Sequence, residues 1–430
     1  MGVTFWRGTG VALALSACGG AEAQRTPPTP PLATAAPTAA ASSAPPSNDK
    51  ATAGPPALDF AAAMKREATE PRKTYPLKLV DGVTVDVEST TEPKVTIGQG
   101  NDGRPHAQFT LTIDKAATEV SCVYHAATVD MASTVEKVLG ATLGASGVKI
   151  RGADFTLDVA GRVALPTWIA YYESTQGGKT AFGAFSYSAF RMGIAGTMVC
   201  LFDGVGFRMS LASVVRSMAK SARPSPLADA LYSQVVKVTV DQVPAGYAEK
   251  WYQASPQGVE WTELNSVFAI KKGGGQYHMD SGASGTIDRE GRTLNSRVVK
   301  VETGEPAYAE DLERAGQGAF KYSVKRGAAV DTGTVKGDVT SDVGDREELR
   351  KFLGGRAAPP VITAFRAQSP AIVRINVTRE SPGVVFLDDG EGAPAKCEVD
   401  AEGRCRVWTR GVIALELVGS SGTYPRPARK

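Results

Sequence analysis

The chain has 430 residues, 42% of them hydrophobic, and its 48 Lys and Arg nearly balance 45 Asp and Glu, giving a formal net charge of +3. This balance, with no sustained basic stripe, argues against nucleic acid as a partner, because nucleic-acid-binding surfaces concentrate positive charge. The length is too great for one compact core, so two or three folded domains are expected.

An apolar run over residues 11–15 ends in small residues and a cysteine. The run is too short to span a bilayer, and its layout is typical of a secretory signal peptide. The motif Leu15-Ser16-Ala17-Cys18 resembles the lipobox of bacterial lipoproteins. The resemblance implies that residues 1–17 are a signal peptide and that the Cys18 sulfur carries a lipid. Each buried CH2 of an acyl chain such as palmitate contributes about 0.8 kcal/mol, so two or three chains anchor a protein stably.

The residue after the cysteine is Gly19 rather than Asp, which resembles the pattern of lipoproteins that leave the inner membrane. We therefore expect a lipid anchor in the outer membrane, facing the periplasm or the cell surface. The expected partners are this membrane, through the lipid, and another envelope protein. The alternatives are an ordinary signal peptide in which Cys18 is incidental, and the ordered N-terminus of a cytoplasmic protein.

Residues 18–56 consist mostly of Ala, Pro, Ser and Thr, with almost no large apolar side chain. Such a composition does not bury enough surface to offset the entropy of ordering, so it predicts an extended tether. The alternative is a Pro-rich ligand for a partner domain.

The cysteines other than the lipobox cysteine are four in number, which in an exported chain indicates two disulfides with three possible connectivities. Cys397 and Cys405 flank a tight turn at residues 400–403, so we expect them to pair across a hairpin. Cys122 then pairs with Cys200. The alternative, a metal site, lacks the CxxC and His spacing that such sites use.

Residues 57–222 are expected to form an α+β domain. Alternating apolar positions predict strands, and apolar stripes of helical period predict helices. The strands are predicted at 109–113, 120–124, 163–173, 180–190 and 196–202, and the helices at 131–139 and 207–218. This order predicts an antiparallel sheet with helices packed on one side. The run from Thr197 to Asp203, followed by the second helix, resembles the end of PsbP-like domains, which implies a small binding or assembly module.

Residues 223–357 predict an antiparallel β meander with helices. Residues 227–235 predict a short helix, residues 236–240 an alternating strand, and residues 345–353 a second helix. The strands between them are bounded by Gly, Pro and Asp turns.

Trp251, Tyr252 and Trp261 fall within this meander. A curled sheet with an aromatic interior can hold an apolar molecule, so these residues are candidates to line a ligand cup. The alternative is that they are core residues, which is the commoner place for large aromatic side chains.

Residues 358–430 contain short strand-like runs at regular spacing with no helical stretch between them, a pattern that predicts a small β sandwich. The hairpin from Cys397 to Cys405 resembles those of immunoglobulin-like accessory domains of envelope proteins. The resemblance implies a spacer or an interaction module. The predicted fold class is thus α+β and all-β, in several domains.

One group of residues is a candidate for catalysis. His278 lies near Asp280 and Ser284 in sequence, but the nucleophile-elbow motif of serine hydrolases is missing. The carboxylates of residues 388–391 lack the ligand spacing of a calcium loop and predict a turn. We expect no enzymatic activity, no cofactor and no metal site.

The leading hypothesis is a non-catalytic, lipid-anchored protein of the cell envelope that acts as an interaction or assembly module. The first alternative is a carrier that shelters an apolar ligand in residues 223–357. The second is a hydrolase that uses His278 and Ser284.

Overall fold

The computed structural model describes residues 60–427, except 101–102, 115–117, 144–147, 177–178, 194–195, 271–274 and 356–357. The predicted signal peptide, the lipobox cysteine Cys18 and the tether lie outside the described residues. Strands make up 62% of the structure and helices 11%. The predicted fold class is therefore wrong, because large antiparallel sheets dominate the protein and helices are few.

The described helices are α1 (Phe60–Met64), α2 (Met131–Leu143), α3 (Arg208–Ser221) and α4 (Asp342–Leu353). The first nine strands are β1 (Lys73–Lys78), β2 (Thr84–Ser89), β3 (Thr96–Gln99), β4 (Pro105–Asp114), β5 (Thr118–His125), β6 (Val148–Ala160), β7 (Val163–Gln176), β8 (Lys179–Met192) and β9 (Gly196–Asp203). Within the described part of the chain, no helix is long and apolar enough to cross a membrane.

The next eight strands are β10 (Ala230–Val240), β11 (Val243–Ser255), β12 (Gly258–Ile270), β13 (Gln276–Asp288), β14 (Thr293–Glu302), β15 (Tyr308–Gly316), β16 (Ala319–Arg326) and β17 (Ala329–Lys336). The last six are β18 (Ile362–Arg366), β19 (Ala371–Ser381), β20 (Val384–Asp388), β21 (Ala395–Val399), β22 (Cys405–Arg410) and β23 (Ile413–Gly422). All strand pairs are antiparallel.

A seven-stranded sheet with the order β3-β4-β5-β9-β8-β7-β6 forms the N-terminal part. Both of its faces are covered. Leu211, Val214 and Met218 of α3 pack on one face together with the two-stranded β1-β2 sheet. Met131 and Val135 of α2 pack on the other face. The prediction that the helices lie on one side of the sheet is therefore wrong, because each face of this sheet has its own apolar side chains to cover.

A fourteen-stranded sheet forms the rest of the protein, in the order β17-β16-β15-β14-β13-β12-β11-β10-β23-β22-β21-β20-β19-β18. Strand β10 is hydrogen-bonded to β11 on one side and to the last strand, β23, on the other. The strands of residues 358–430 therefore continue the sheet of residues 223–357. They do not form the separate small sandwich that their short, regular spacing predicts.

This sheet curls until its two ends meet, and we call it the curled sheet. Between β17 and α4, the Thr340 N–H donates to the Thr363 carbonyl of β18 (3.3 Å). The Thr363 N–H donates to Thr340 Oγ1 (3.0 Å). Apolar side chains of β10–β13 meet those of β18–β23 in one core, so the sheet has a filled inner face and an outer face.

The predicted helix at 227–235 is wrong, because β10 begins at Ala230. Apolar residues at 227, 231 and 235 match a helical period. The chain is extended here because β10 pairs with strands on both of its edges, and this pairing overrides local preference.

Candidate functional site

A band of polar side chains crosses the inner face of the curled sheet. Register places Lys250, Glu263 and Glu310 in one row across β11–β15, with Ala283 and Val298 between them. The neighbouring row consists of Asn265, Ser281, Lys300, Tyr308 and Arg326. We call these eight polar residues the inner belt. Polar groups inside a sheet's core are costly unless they have partners, so the belt is the candidate site.

Lys250 lies at one end of the belt and contacts two carboxylates. Its Nζ lies 2.6 Å from Asp342 Oδ2 of α4 and 3.3 Å from Glu263 Oε2 of β12. All three side chains are almost fully buried. Burial acts to lower the pKa of Lys250, but Asp342 and Glu263 outweigh it and raise that pKa. The amine is thus held protonated, and it serves as a cation rather than as a nucleophile.

The two carboxylates respond differently to this shared cation. Burial acts to raise the pKa of Asp342, but Lys250 outweighs it and lowers that pKa. For Glu263 burial dominates and raises the pKa. Asp342 is therefore the ionised partner of Lys250.

Aromatic side chains surround this ion pair. The Tyr252 hydroxyl donates to Asp342 Oδ2 and lies 3.1 Å from the Tyr424 hydroxyl. Lys250 Nζ lies 4.5 Å from the centre of the Trp261 ring. Since Asp342 is the first residue of α4, these contacts fasten the start of the helix to the inner face of the sheet.

The three aromatic residues proposed from the sequence divide between the two faces. Tyr252 and Trp261 lie opposite each other on the inner face, packed in a core that includes Val343 of α4. Trp251 lies on the outer face, under the Arg191 guanidinium at 4.3 Å from the ring centre. The split follows from strand geometry, because successive side chains of a strand alternate between faces.

Glu310 occupies the other end of the belt. Its carboxylate accepts a hydrogen bond from the Tyr308 hydroxyl at 2.6 Å. Burial outweighs this bond and raises the pKa of Glu310 to about 8. Near it, Lys300 Nζ pairs with Glu302 at 2.8 Å, and that cation is thereby occupied. Glu310 is the belt carboxyl that folding holds largely neutral near pH 7.

Three buried oxygens of this region, Glu263 Oε2, Asn265 Oδ1 and Asp342 Oδ1, have no hydrogen-bond partner among the described residues, although Glu263 Oε2 faces Lys250 as an ion pair. Buried acceptors of this kind suit an ordered water or another small donor. The remaining polar atoms hold the helix and the strands together. The belt's chemistry is thus that of a buried electrostatic clamp on α4.

His278, Asp280 and Ser284 all lie on β13, but they do not form a triad. The Asp280 carboxylate accepts hydrogen bonds from Ser133 N–H (2.7 Å) and from Ser266 Oγ (2.7 Å). His278 Nδ1 lies 2.7 Å from Glu136 Oε2 of α2. Ser284 is six residues farther along the strand than His278, about 20 Å away at the rise of an extended chain.

The carboxylates at residues 388–391 are used within a turn. Asp389 receives two hydrogen bonds from the Arg410 guanidinium, at 2.8 and 2.9 Å. The Gly390 N–H donates to Asp388 Oδ1 at 2.9 Å. In the described ranges, no group of three or more His, Cys, Asp or Glu side chains is placed to hold a metal ion.

The four cysteines within the described residues lie at disulfide distance in two pairs, Cys122 with Cys200 and Cys397 with Cys405. The first pair joins neighbouring strands β5 and β9, where the two residues stand opposite each other. The second closes the hairpin between β21 and β22. Both pairs are those predicted from the turn between Cys397 and Cys405.

Lys250, Glu263 and Asp342 are not predicted as site residues from the sequence. The available signal was local: Lys250 shares one face of β11 with Ala248 and Tyr252, in a stretch of the strand that is buried on both faces and where an apolar residue is expected. A charge in such a position indicates a buried partner. That partner lies far along the chain, so the sequence alone does not identify it.

No family model matches the chain, and no curated protein matches it. Among solved structures, it is similar to a crystal structure of a beta-barrel-like protein of a domain of unknown function, DUF1849, from Brucella abortus. The TM-score is 0.32 and the sequence identity 14%, over 44% of this chain and 97% of that chain. A likeness at this TM-score carries no argument about fold or function.

Proposed function

We propose that this chain is a lipid-anchored protein of the bacterial cell envelope and that it acts as a non-catalytic interaction or assembly module in the outer membrane. The observation that carries the proposal is the motif Leu15-Ser16-Ala17-Cys18 followed by a Pro-rich tether. A lipid on Cys18 would hold the folded body near the membrane, and the tether would set its reach.

The cysteine pairs support the export part of the proposal. Disulfides persist in oxidising compartments such as the periplasm and are rare in the cytosol. Both pairs are placed for bonding between neighbouring strands of the folded body. A chain that leaves the cytoplasm can form them.

The junction of the two large sheets supports the assembly part. Tyr247, on the outer face of the curled sheet, shares a core with Trp168 of the seven-stranded sheet, and their ring centres lie 6.0 Å apart. Arg191 Nε lies 3.4 Å from Glu249 Oε2 across the same junction, with both side chains buried. The two sheets therefore form one body, which suits a protein that positions a partner.

The outer face of β14–β17 supports a protein as that partner. Val299, Val301 and Val330 expose 42%, 42% and 59% of their surface there. Register places Ala309 and Lys325 between Val299 and Val330. Apolar side chains interspersed with charges are typical of non-obligate protein interfaces.

Labelled palmitate tests the anchor. We expect the label in the wild-type protein and its complete loss in Cys18→Ala, because the thioether is the attachment point for the lipid. The matched control is Cys122→Ala, which removes a different cysteine and keeps the label. Equal labelling of the wild type and Cys18→Ala would contradict the lipid anchor.

Crosslinking in intact cells tests the partner surface. We expect the double variant Val299→Asp, Val301→Asp to lose most of the crosslinking yield to an envelope protein, because two charges oppose burial of the patch. The control is Val361→Asp, whose side chain is 55% exposed and precedes β18. An unchanged crosslink in the double variant would reject this face as the interface.

A further inference from the structure

A shallow cleft lies where α4 meets the C-terminal segment beyond β23. Three arginines line it, together with two glutamates and the ring of Tyr424. The arginines are Arg346 and Arg350 of α4 and Arg426, and the glutamates are Glu347 and Glu402. Prolines of the C-terminal segment form the remaining wall, so the cleft is partly shielded from solvent. Attraction between charges is stronger in such a setting than in open water.

The charges of the cleft do not balance. The Arg350 guanidinium donates two hydrogen bonds to Glu347, at 3.0 and 2.7 Å. Arg426 Nη2 donates to Glu402 Oε2 at 3.1 Å. Each of these arginines thus has its own carboxylate. Three guanidinium groups against two carboxylates leave one positive charge in excess.

Arg346 carries that excess. Its guanidinium stacks on the Tyr424 ring at 3.6 Å from the ring centre, and its Nε donates to the Glu402 carbonyl at 2.8 Å. Its Nη2 lies 3.8 Å from the Glu402 carboxylate that Arg426 already uses. Its Nη1 has no hydrogen-bond partner among the described residues, although Arg346 is only 8% exposed. A buried guanidinium with an unused donor indicates a missing acceptor.

We propose that this cleft binds one oxyanion group, a carboxylate or a phosphate. The anion would neutralise the excess charge and accept hydrogen bonds in the fork geometry that guanidinium groups favour. Arg350 and Arg426 are the movable members, because their side chains are 40% and 59% exposed. When the anion binds, the side chains of Arg350 and Arg426 exchange their glutamate partners for the anion. Stacking on the Tyr424 ring keeps the Arg346 guanidinium in place. This site is separate from the β14–β17 face.

The same oxyanion chemistry has two sources, a soluble anion and the phosphate of a lipid headgroup. We would titrate the protein from residue 18 onward carrying Cys18→Ala, which avoids detergent. The probes are inorganic phosphate and acetate at matched ionic strength, and vesicles of phosphatidylglycerol against vesicles of phosphatidylcholine. Calorimetry measures the soluble probes, and cosedimentation measures the vesicles.

We expect the wild type to bind at least one oxyanion probe saturably. The double variant Arg350→Gln, Arg426→Gln should have a dissociation constant at least about tenfold higher. Both side chains are partly exposed, so the variant should fold. Arg297→Gln is the matched control, because Arg297 is 64% exposed and pairs with Asp311 at 3.5 Å elsewhere on the protein. It should bind as the wild type does.

Binding of phosphate or acetate would assign the site to a soluble anion, whereas binding of phosphatidylglycerol vesicles alone would assign it to a headgroup. Either result supports the proposal only if the double variant loses binding of the same probe. An absence of binding to every probe, or equal binding by the wild type and the double variant, would overturn the proposal. Palmitate labelling is independent of both outcomes, so the lipid anchor stands or fails separately.

Discussion

Glu310 illustrates what burial does to a single residue. It is 3% exposed, and the group that hydrogen-bonds it is a neutral hydroxyl, that of Tyr308. Its pKa is raised from an ordinary value of 4.5 to about 8. The folded state therefore keeps a proton that the unfolded chain releases. Stability then depends on pH, because the two states bind different numbers of protons.

Glu310 is expected to make the protein less stable as pH rises from about 4.5 to about 8. The raised pKa means that its contribution is fully present below the unfolded value and is lost as pH rises towards the folded value, at up to about 1.4 kcal/mol per pH unit. Glu310→Gln, which stays neutral, should remove this slope. Denaturant unfolding at pH 5, 6, 7 and 8 measures it.

The control for this measurement is Glu313→Gln, an exposed residue of the same strand, which should keep the wild-type slope. Equal pH dependence in wild type and Glu310→Gln would show that the buried carboxyl does not titrate as the structure indicates.

Residues differ in how far the sequence predicts their surroundings. Cys397 and Cys405 are separated by 8 positions, so a turn between them is visible in the sequence. Lys250 and Asp342 meet only when α4 packs against the sheet, and nothing local to either residue indicates the other. The disulfides were thus predictable, whereas the ion pair of Lys250 and Asp342 was not.

Among the elements, α2 and α4 begin in different ways. Asp280 of β13 accepts hydrogen bonds from the Ala132 and Ser133 N–H groups, so a strand of the curled sheet caps α2 from outside. Ser341 caps α4 from within the chain, accepting from the Gly344 N–H at 3.1 Å. The N-terminus of α2 is therefore capped across the junction of the sheets, and that of α4 by its own N-cap residue.

We expect Asp280→Ala to lower the free energy of opening of α2 by about 1–2 kcal/mol and to leave α4 unchanged, because only α2 loses an acceptor. Ser341→Ala, the matched variant, should lower the free energy of opening of α4 and leave α2 unchanged. Amide hydrogen exchange, measured helix by helix, distinguishes the two. Equal changes in both helices would mean that neither cap acts locally.

The helices at 131–139, 207–218 and 345–353 were predictable because each has an apolar stripe of helical period, and all three are confirmed. Residues 227–235 show the limit of this signal. Their apolar spacing fits a helix, yet two neighbouring strands hold the segment extended through hydrogen bonds that run far along the chain. Local periodicity does not contain that information.

At the scale of the whole molecule, β10 joins parts that look independent in the sequence. Val236 of β10 stands opposite Ala248 of β11 and Leu417 of β23. Its inner-face core includes Trp408 and Leu415 from the end of the chain. The fold class was mistaken for this reason: each segment shows strands, but their closure into one sheet leaves no local signal.

A chain ending at residue 357 should fail to fold its strands β10–β17, because it lacks six of the fourteen strands and 13 of the 20 buried residues of the shared core. Loss of a cooperative thermal transition and of dispersed amide resonances would record this. A chain starting at residue 57 is the control and should unfold cooperatively. A native-like transition in the shortened chain would mean that the two segments are separate domains.

The pairing of β10 with β23 also sets the order of events during folding. After β10 has been synthesised, almost the whole remainder of the chain must be made before the second neighbour of β10, β23, exists. Until then β10 has an unpaired edge, which is a hazard for aggregation. Contacts this distant in sequence slow folding, so we expect closure of the sheet to be a late event. Export of the chain before that event would move closure to the far side of the membrane, where the cysteines can be oxidised.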